Sequence, residues 1–197
     1  ADGSNVVHWA MSGGDKSMLT MLARKGYDYT KVSSAGFSPA MAAIMWKRLS
    51  SVEYLLESGM DINQPLPPDS STLLILSCNQ DNREFTDYLI AKGADVNAVN
   101  SDGFSALSFS VLYTISELTK ILLDKGADIN QSTGSGETPL MFAIDRGSQA
   151  LVEMLITIAL LALLAALLVP ALNSALESAR QARCASGLRQ VAIAGGL

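Results

Sequence analysis

The spacing of apolar residues changes near residue 151. Before it, apolar residues come in short amphipathic stretches such as Val52, Leu55 and Leu56, at helical spacing, and the stretches end at glycines. After it, residues 154–172 form a run of 19 residues without a charge, which is apolar on every side of a helix. The pattern predicts an all-α chain: short helix pairs followed by one long apolar C-terminal helix.

The short stretches repeat about every 33 residues. Four segments, ARKGYDYT, LESGMDIN, IAKGADVN and LDKGADIN, align on glycines spaced 33, 34 and 33 residues apart. A second series of turns keeps the same period: Gly3, Gly36, Ser70, Gly103 and Gly136. We therefore expect units near 3–35, 36–69, 70–102, 103–135 and 136–156. One unit is too small to bury its own apolar face, so the units must stack.

The first helix of each unit has a recognisable start. Thr138 precedes Pro139 and Ser38 precedes Pro39, which is the pattern of an N-cap followed by a first-turn proline. Thr72 and Ser105 stand at the equivalent positions. Each unit is thus predicted as helix, turn, helix and loop.

These motifs resemble the ankyrin repeat, whose helix start and repeat ending are matched by GETPLMFA, GADVN and GADIN. The resemblance covers residues 1–156 as five units. It implies a helix-turn-helix solenoid that binds another protein without catalysis. In this family the partner usually contacts the loop tips and the exposed side of the first helices, on the concave face.

Seven residues fall at such positions. Three follow or occupy the loop turns and four lie late in the first helices: Phe37, Phe104, Glu137, Trp46, Asn79, Tyr113 and Arg146. The four aromatic residues either form an exposed patch that anchors a partner or belong to the core. The aspartates of GADVN and GADIN are expected to hydrogen-bond their own turns.

Charge and reactive residues argue against other classes. Residues 1–148 carry 11 Lys and Arg against 17 Asp and Glu, a net charge of −6, which disfavours nucleic acid. His8 is the only histidine and is expected to cap or pack, while Cys78 is expected in the core. We therefore predict no enzyme activity, no cofactor and no metal.

The apolar run 154–172 admits two interpretations. As a helix it measures about 28 Å, close to the hydrocarbon thickness of a bilayer, so it predicts a membrane span. Alternatively, copies of the chain bury it by self-association. The N-terminal and C-terminal flanks differ little in charge, so the side of the membrane that holds the repeats stays open.

The segment LVEMLITIALLALLAALLVPALNSA resembles the N-terminal helix of type IV pilins and of type II secretion pseudopilins, over about residues 150–194. The resemblance implies a bacterial inner-membrane helix in which Glu153 pairs with a neighbouring subunit's amino terminus and Pro170 stands 17 residues further on. Ser148 and Gln149 occupy the places of that family's cleavage-site glycine and phenylalanine. Three alternatives follow: a tethered or oligomeric scaffold, a filament subunit, or an artificial or accidental fusion in which only the repeats function.

Overall fold

The computed structural model describes residues 4–26, 32–33 and 36–194. In these residues the helices are α1 Ser4–Gly13, α2 Lys16–Arg24, α3 Pro39–Met45, α4 Leu49–Glu57, α5 Leu73–Asn79, α6 Arg83–Ala91, α7 Ala106–Leu112, α8 Ser116–Asp124, α9 Pro139–Asp145 and α10 Gln149–Ala194. The described part contains no strand, only isolated bridges in two loops. The predicted all-α fold is confirmed. The chain divides into two compact units, residues 1–152 and 153–197.

The repeat unit is a pair of antiparallel helices. Within the first compact unit, α1 packs on α2, α3 on α4, α5 on α6 and α7 on α8. The first helices of the pairs stack in the order α1, α3, α5, α7 and α9. Their buried faces form the core, with Ile44, Leu74 and Leu107 almost fully buried. Each pair therefore completes its apolar interior against the next one.

The helix starts agree with the sequence prediction. The side-chain oxygens of Ser38, Thr72, Ser105 and Thr138 each accept a hydrogen bond from the backbone N–H three residues later, at 3.2, 3.4, 3.1 and 3.5 Å. These bonds satisfy a donor that the first helical turn would otherwise leave unpaired. The first helices of units 2 to 5 therefore begin in the same way.

The helix ends show two periodic series of left-handed residues. The glycines after the second helices have φ of +77, +95, +92 and +87° at Gly26, Gly59, Gly93 and Gly126. A second series turns the chain between the two helices of each pair, at Gly14, Lys47, Asp81, Thr114 and Gly147. Three members of this series are not glycine, so the sequence alone does not show it. At each of them the following N–H bonds back to the preceding helix, as Arg48 N does to the Ala43 carbonyl at 2.8 Å.

Backbone hydrogen bonds join the loops of successive units. Ser101 N donates to the Asp69 carbonyl at 2.8 Å, and Gly134 N donates to the Asp102 carbonyl at 2.7 Å. Gly103 is required here: its φ is +80°, and a Cβ would stand 2.6 Å from Gly134 N. Partial burial opposes ionisation of Asp69, but hydrogen bonds from Ser71 and Asn100 outweigh it and hold the pKa of that carboxyl below its usual value.

The aspartates at the repeat endings form turns, as predicted. Asp95 Oδ1 and Asp128 Oδ1 each accept from the backbone N–H two residues later, at 2.9 Å. The asparagines of the same motif link the units: Asn63 Oδ1 accepts from Asp95 N at 2.8 Å, and Asn97 Oδ1 accepts from Asp128 N at 2.7 Å. These asparagines thus fix the spacing between neighbouring units.

The long helix α10 extends for 46 residues and contains Pro170. It passes without interruption through position 159, where the repeat register would place a stop glycine. From Leu160 to Leu176 its large apolar side chains are exposed. The part Gln149–Gln181 is long and apolar enough to cross a membrane, judged by length and composition. The predicted long apolar helix is therefore confirmed.

Units 3 and 4 carry a buried hydroxyl pair that units 2 and 5 replace with apolar residues. Ser77 Oγ lies 3.0 Å from Thr86 Oγ1, and Ser110 Oγ lies 3.0 Å from Thr119 Oγ1. The equivalent positions hold Ala43 with Val52 in unit 2 and Ala143 with Val152 in unit 5. The fold therefore accepts either a paired or an apolar version of this contact.

We predict that Ser110→Ala and Thr119→Val each lower the free energy of unfolding by about 1 kcal/mol, because each removes one partner of a buried hydrogen bond. The double substitution should lower it by clearly less than the sum, since it recreates the apolar pair of unit 5. Urea denaturation followed by circular dichroism measures these values. As a control, Ser110→Ala combined with Thr86→Val, from the other pair, should be additive. Additive effects within the pair would contradict the prediction.

Candidate protein-binding face

The first helices carry most of the exposed apolar surface of the repeats. We call the exposed side of α1, α3, α5, α7 and α9, with the loops before them, the first-helix face. Its large exposed apolar residues on helices or helix ends are Val6, Trp9, Met45, Trp46, Tyr113, Met141 and Ile144, and those in loops are Val32, Phe37 and Val99. Among the described residues of the second helices, up to residue 152, Met21 is the one of this kind. Such one-sided exposure is typical of an interaction surface.

The structure places the late-helix candidates at the C-caps. Trp46 and Tyr113 are the C-caps of α3 and α7 and are 63% and 50% exposed. Arg146 is the exposed C-cap of α9. In α5 the C-cap is Gln80, so Asn79 lies one residue earlier, half-buried in the last turn. The residue of the third unit that is equivalent to Trp46 and Tyr113 is therefore Gln80, one residue after the predicted Asn79.

Two of the predicted aromatic residues belong to one run of rings. The centroids of Phe104 and Phe142 are 5.6 Å apart, those of Phe104 and Phe109 are 5.1 Å apart, and those of Phe109 and Tyr113 are 6.2 Å apart. These four residues form what we call the aromatic run, which extends from the buried Phe142 to the exposed Tyr113. Ring pairs at such distances attract beyond their buried area, so the run is a pre-ordered apolar surface.

Phe109, which connects Phe104 to Tyr113, was not predicted from the sequence. The signal was present as a 33- to 34-residue row in the first helices: Trp9, Ala42, Leu76, Phe109 and Phe142. In units 2 to 5 each member of the row follows directly the residue whose backbone N–H donates to the N-cap oxygen, as Ala42 follows Met41. The row varies from alanine to tryptophan, which is why no motif revealed it.

The other two predicted aromatic residues, Phe37 and Trp46, line a groove formed by units 1 and 2. Trp9 and Met45 contribute further apolar walls, and the groove has a volume of about 730 Å³. We call it the tryptophan groove. The small residue Ala42 in the row described above makes room for it. The four predicted aromatics thus separate into two sets, and the polar Asn79 and Gln80 stand between them at the end of α5 in unit 3.

His8 holds one edge of this groove in place. Its Nε2 lies 2.7 Å from the carbonyl oxygen of Phe37, and because a carbonyl only accepts, the imidazole donates this bond. The bond ties α1 to the loop of the second unit. His8 thus has the structural role that the sequence predicted.

The loop candidates Phe104 and Glu137 occupy equivalent positions in units 4 and 5. Phe104 N donates to Asn100 Oδ1 at 2.9 Å, while Glu137 N donates to Thr133 Oγ1 at 3.2 Å. Glu137 is exposed, and one of its carboxylate oxygens accepts from Ser135 Oγ at 2.8 Å. Both loops are therefore ordered by their own side chains, and their tips project from a fixed backbone.

Cys78 is a core residue, as predicted. It is fully buried in α5, and its Sγ lies 3.7 Å from Thr86 Oγ1. Burial raises the pKa of the thiol from its ordinary value of 9.0 to about 11. A buried thiol with a raised pKa is a poor nucleophile. In the described residues, no group of three or more His, Cys, Asp or Glu is placed to hold a metal ion.

The stacked helix pairs define a helical repeat protein whose exposed apolar residues lie mainly on the first helices and loops. A family model described as ankyrin repeats (3 copies) matches residues 1–65 and 64–133, and one described as ankyrin repeats (many copies) matches residues 117–156. The chain belongs to the ankyrin repeat family. Proteins of this family are generally non-catalytic scaffolds for protein binding.

Three curated relatives share part of this region. The fowlpox virus ankyrin repeat protein FPV031 is 34% identical over 101 residues, which is 50% of this chain and 30% of that protein. The phosphocholine transferase AnkX of Legionella pneumophila is 37% identical over 75 residues, 38% of this chain and 8% of the enzyme. The Danio rerio protein named palmitoyltransferase ZDHHC13 is 28% identical over 97 residues, which is 49% of this chain and 15% of that protein. The match thus spans less than a third of each relative's length.

We predict that Cys78 stays unreactive in the folded chain. In a Cys184→Ser variant at pH 8, Cys78 should react with Ellman's reagent at least about 100-fold more slowly when folded than in urea, because its thiolate is scarce and covered. A folded pKa above the unfolded one stabilises the fold below about pH 9, and this contribution disappears as the pH rises toward about 11. Cys78→Ala should therefore flatten the loss of stability between these pH values. Fast labelling of folded protein would contradict the assignment.

Proposed function

We propose that this chain is a non-catalytic scaffold that binds a protein partner through the first-helix face and is tethered to a membrane by α10. The observation that carries the proposal is the distribution of exposed apolar side chains. They lie on the first helices and loops, while the second helices present salt-bridged surfaces such as Lys16 with Glu53 at 3.0 Å. Exposing apolar side chains on one face gives a monomer in water no stability, whereas a bound partner buries them and so favours this arrangement.

The chemistry of the face favours a protein as partner. Tyr113 and Trp46 project from C-caps on a rigid helix stack, and exposed aromatic side chains of this kind supply much of the binding energy of protein interfaces. The two relatives with enzyme names share only 8% and 15% of their length with this chain. Their activities are properties of those proteins, and what supports binding here is the repeat surface itself.

The surroundings of α10 favour a membrane. Apolar side chains from Leu160 to Leu176 are exposed on all sides, whereas pairing with one other helix would cover a single stripe. The hydroxyls of the described part of α10 bond its own backbone: Thr157 donates to the Glu153 carbonyl at 2.6 Å, and Ser174 donates to the Ala171 carbonyl at 2.9 Å. Polar groups satisfied within the helix are compatible with hydrocarbon.

A pilus or pseudopilus subunit remains the alternative. In that case Glu153, an exposed residue at the start of the apolar part of α10, and Pro170, inside the helix, act in filament assembly. The alternative requires Glu153 for assembly, whereas a tether does not depend on this carboxylate. The side of the membrane on which the repeats stand is left open by both.

We predict that a photo-crosslinker on the first-helix face captures the partner. Benzoylphenylalanine in place of Tyr113 should give crosslinked products in cells. The same residue in place of Met21 should not, although both positions are 50% exposed, because Met21 lies on a second helix. Equal capture at both positions, or capture only at position 21, would show that the partner uses another face.

We predict that residues 1–197 remain in the membrane pellet after alkaline carbonate extraction and that residues 1–156 do not, because only the longer chain contains the complete apolar run. Glu153→Ala in the longer chain should also stay in the pellet. Release of residues 1–197 would contradict the membrane tether and favour burial by self-association. If membrane retention persists but ordered assemblies disappear in Glu153→Ala, the filament alternative gains support.

A further inference from the structure

We propose that the tryptophan groove is an anchor site for an acidic apolar peptide segment of the partner: a leucine or aromatic side chain enters the groove, and a neighbouring carboxylate binds Arg48 and Lys47. The proposal rests on the proposed function, since it specifies the partner's chemistry at one end of the first-helix face.

The shape of the groove fits an inserted side chain. Trp9 and Trp46 are 74% and 63% exposed, and together with Phe37 and Met45 they surround a space of about 730 Å³. This volume lies in the range of about 300–1,000 Å³ typical of ligand sites. Ala42 and Gly13 are small, so the space between the aromatic walls is not filled by the chain itself. The walls come from two stacked units, which fixes their separation.

The two charged residues at the end of α3 beside the groove are positive, although residues 1–148 carry a net charge of −6. Arg48 lines the groove and spends one donor, Nε, on the Ser12 carbonyl at 2.8 Å. Lys47 precedes it at the exposed turn after Trp46. Neither has a carboxylate within salt-bridge distance among the described residues, so both charges beside the groove are available to a ligand. Two cations without an acidic partner favour an acidic ligand.

The same groove chemistry could attract an anionic lipid surface. The body of the chain disfavours this, because residues 1–148 carry a net charge of −6 and would be repelled by an anionic bilayer. A peptide needs to satisfy only the local charges. We therefore assign the groove to a protein segment, and lipid becomes an outcome of the test.

The test uses the fact that Trp9 and Trp46 are the only two tryptophans of the chain. The full chain is prepared in micelles of an uncharged detergent and titrated with the peptide Ac-GLFEEG-NH2 or with Ac-GLFKKG-NH2. We expect the acidic peptide to shift the tryptophan emission to shorter wavelength with saturation, and to bind at least tenfold more tightly than the basic peptide. Binding of the acidic peptide should weaken with added salt.

The variants separate charge from folding. Arg48→Gln should lower the affinity for the acidic peptide about tenfold. Lys47→Glu, which leaves the Arg48 to Ser12 bond intact, should lower this affinity at least as much. Lys120→Gln is the matched control: it removes one exposed charge on α8 and should leave binding unchanged. Circular dichroism verifies that each variant keeps its helix content.

Three results would overturn the proposal: no tryptophan shift with either peptide, equal binding of both peptides, or unchanged binding in Lys47→Glu. Saturation of the same signal by anionic phospholipid vesicles, with displacement of the peptide, would overturn it in favour of lipid. Crosslinking at position 113 tests the scaffold function separately. If crosslinking captures a partner but the peptide titration gives one of the results above, only the proposed anchor site is wrong. If crosslinking also captures no partner, the scaffold function is wrong as well.

Discussion

The structure of the repeats depends on one constraint: a helix pair of this size cannot bury its own apolar face, so each pair must meet the next in a fixed register. The first helices meet through residues such as Ile44, Leu74 and Leu107, and the loops meet through backbone hydrogen bonds such as that from Ser101 to Asp69. One extra residue inside a helix would turn all later side chains by about 100°. The single extra residue of the second period accordingly lies in the proline-rich loop before α5, where it disturbs neither contact.

The same constraint creates the candidate binding face. Stacking directs one row of every first helix inward and leaves the next row outward, where the chain is free to place any side chain that a partner requires. Bulky residues accumulate at two places on this face, around Trp9 and Trp46 and around Phe109 and Tyr113. Between them, the end of α5 in unit 3 carries the polar Asn79 and Gln80. A partner that uses both places must therefore be extended along the stack rather than compact.

Much of the fold follows from the sequence because local chemistry sets it. The N-caps and turn glycines were predicted, since a cap oxygen or a left-handed φ restricts the residue type. The turn series with Lys47, Asp81 and Thr114 was not, because backbone hydrogen bonds to the preceding helix accompany a left-handed conformation that these side chains do not favour and therefore do not signal. The site was predicted only in part. Asn79 was misplaced by the extra residue, and Phe109 was missed because exposure at a helical position is decided by the neighbouring unit.

The asparagine links between units have a direction. Asn63 accepts from Asp95 in the next unit, and Asn97 accepts from Asp128. Asn130 has the same place in the fourth unit, but Leu161, 31 residues later, lies inside α10, where a backbone N–H bonds within its own helix. The series therefore ends there. Whole repeats can be inserted or deleted upstream of Asn130 without changing the pattern of links, whereas a repeat added after the fifth would find no loop to receive it. The number of repeats upstream of Asn130 can thus vary, by duplication or by design, without altering the way in which α10 ends the series.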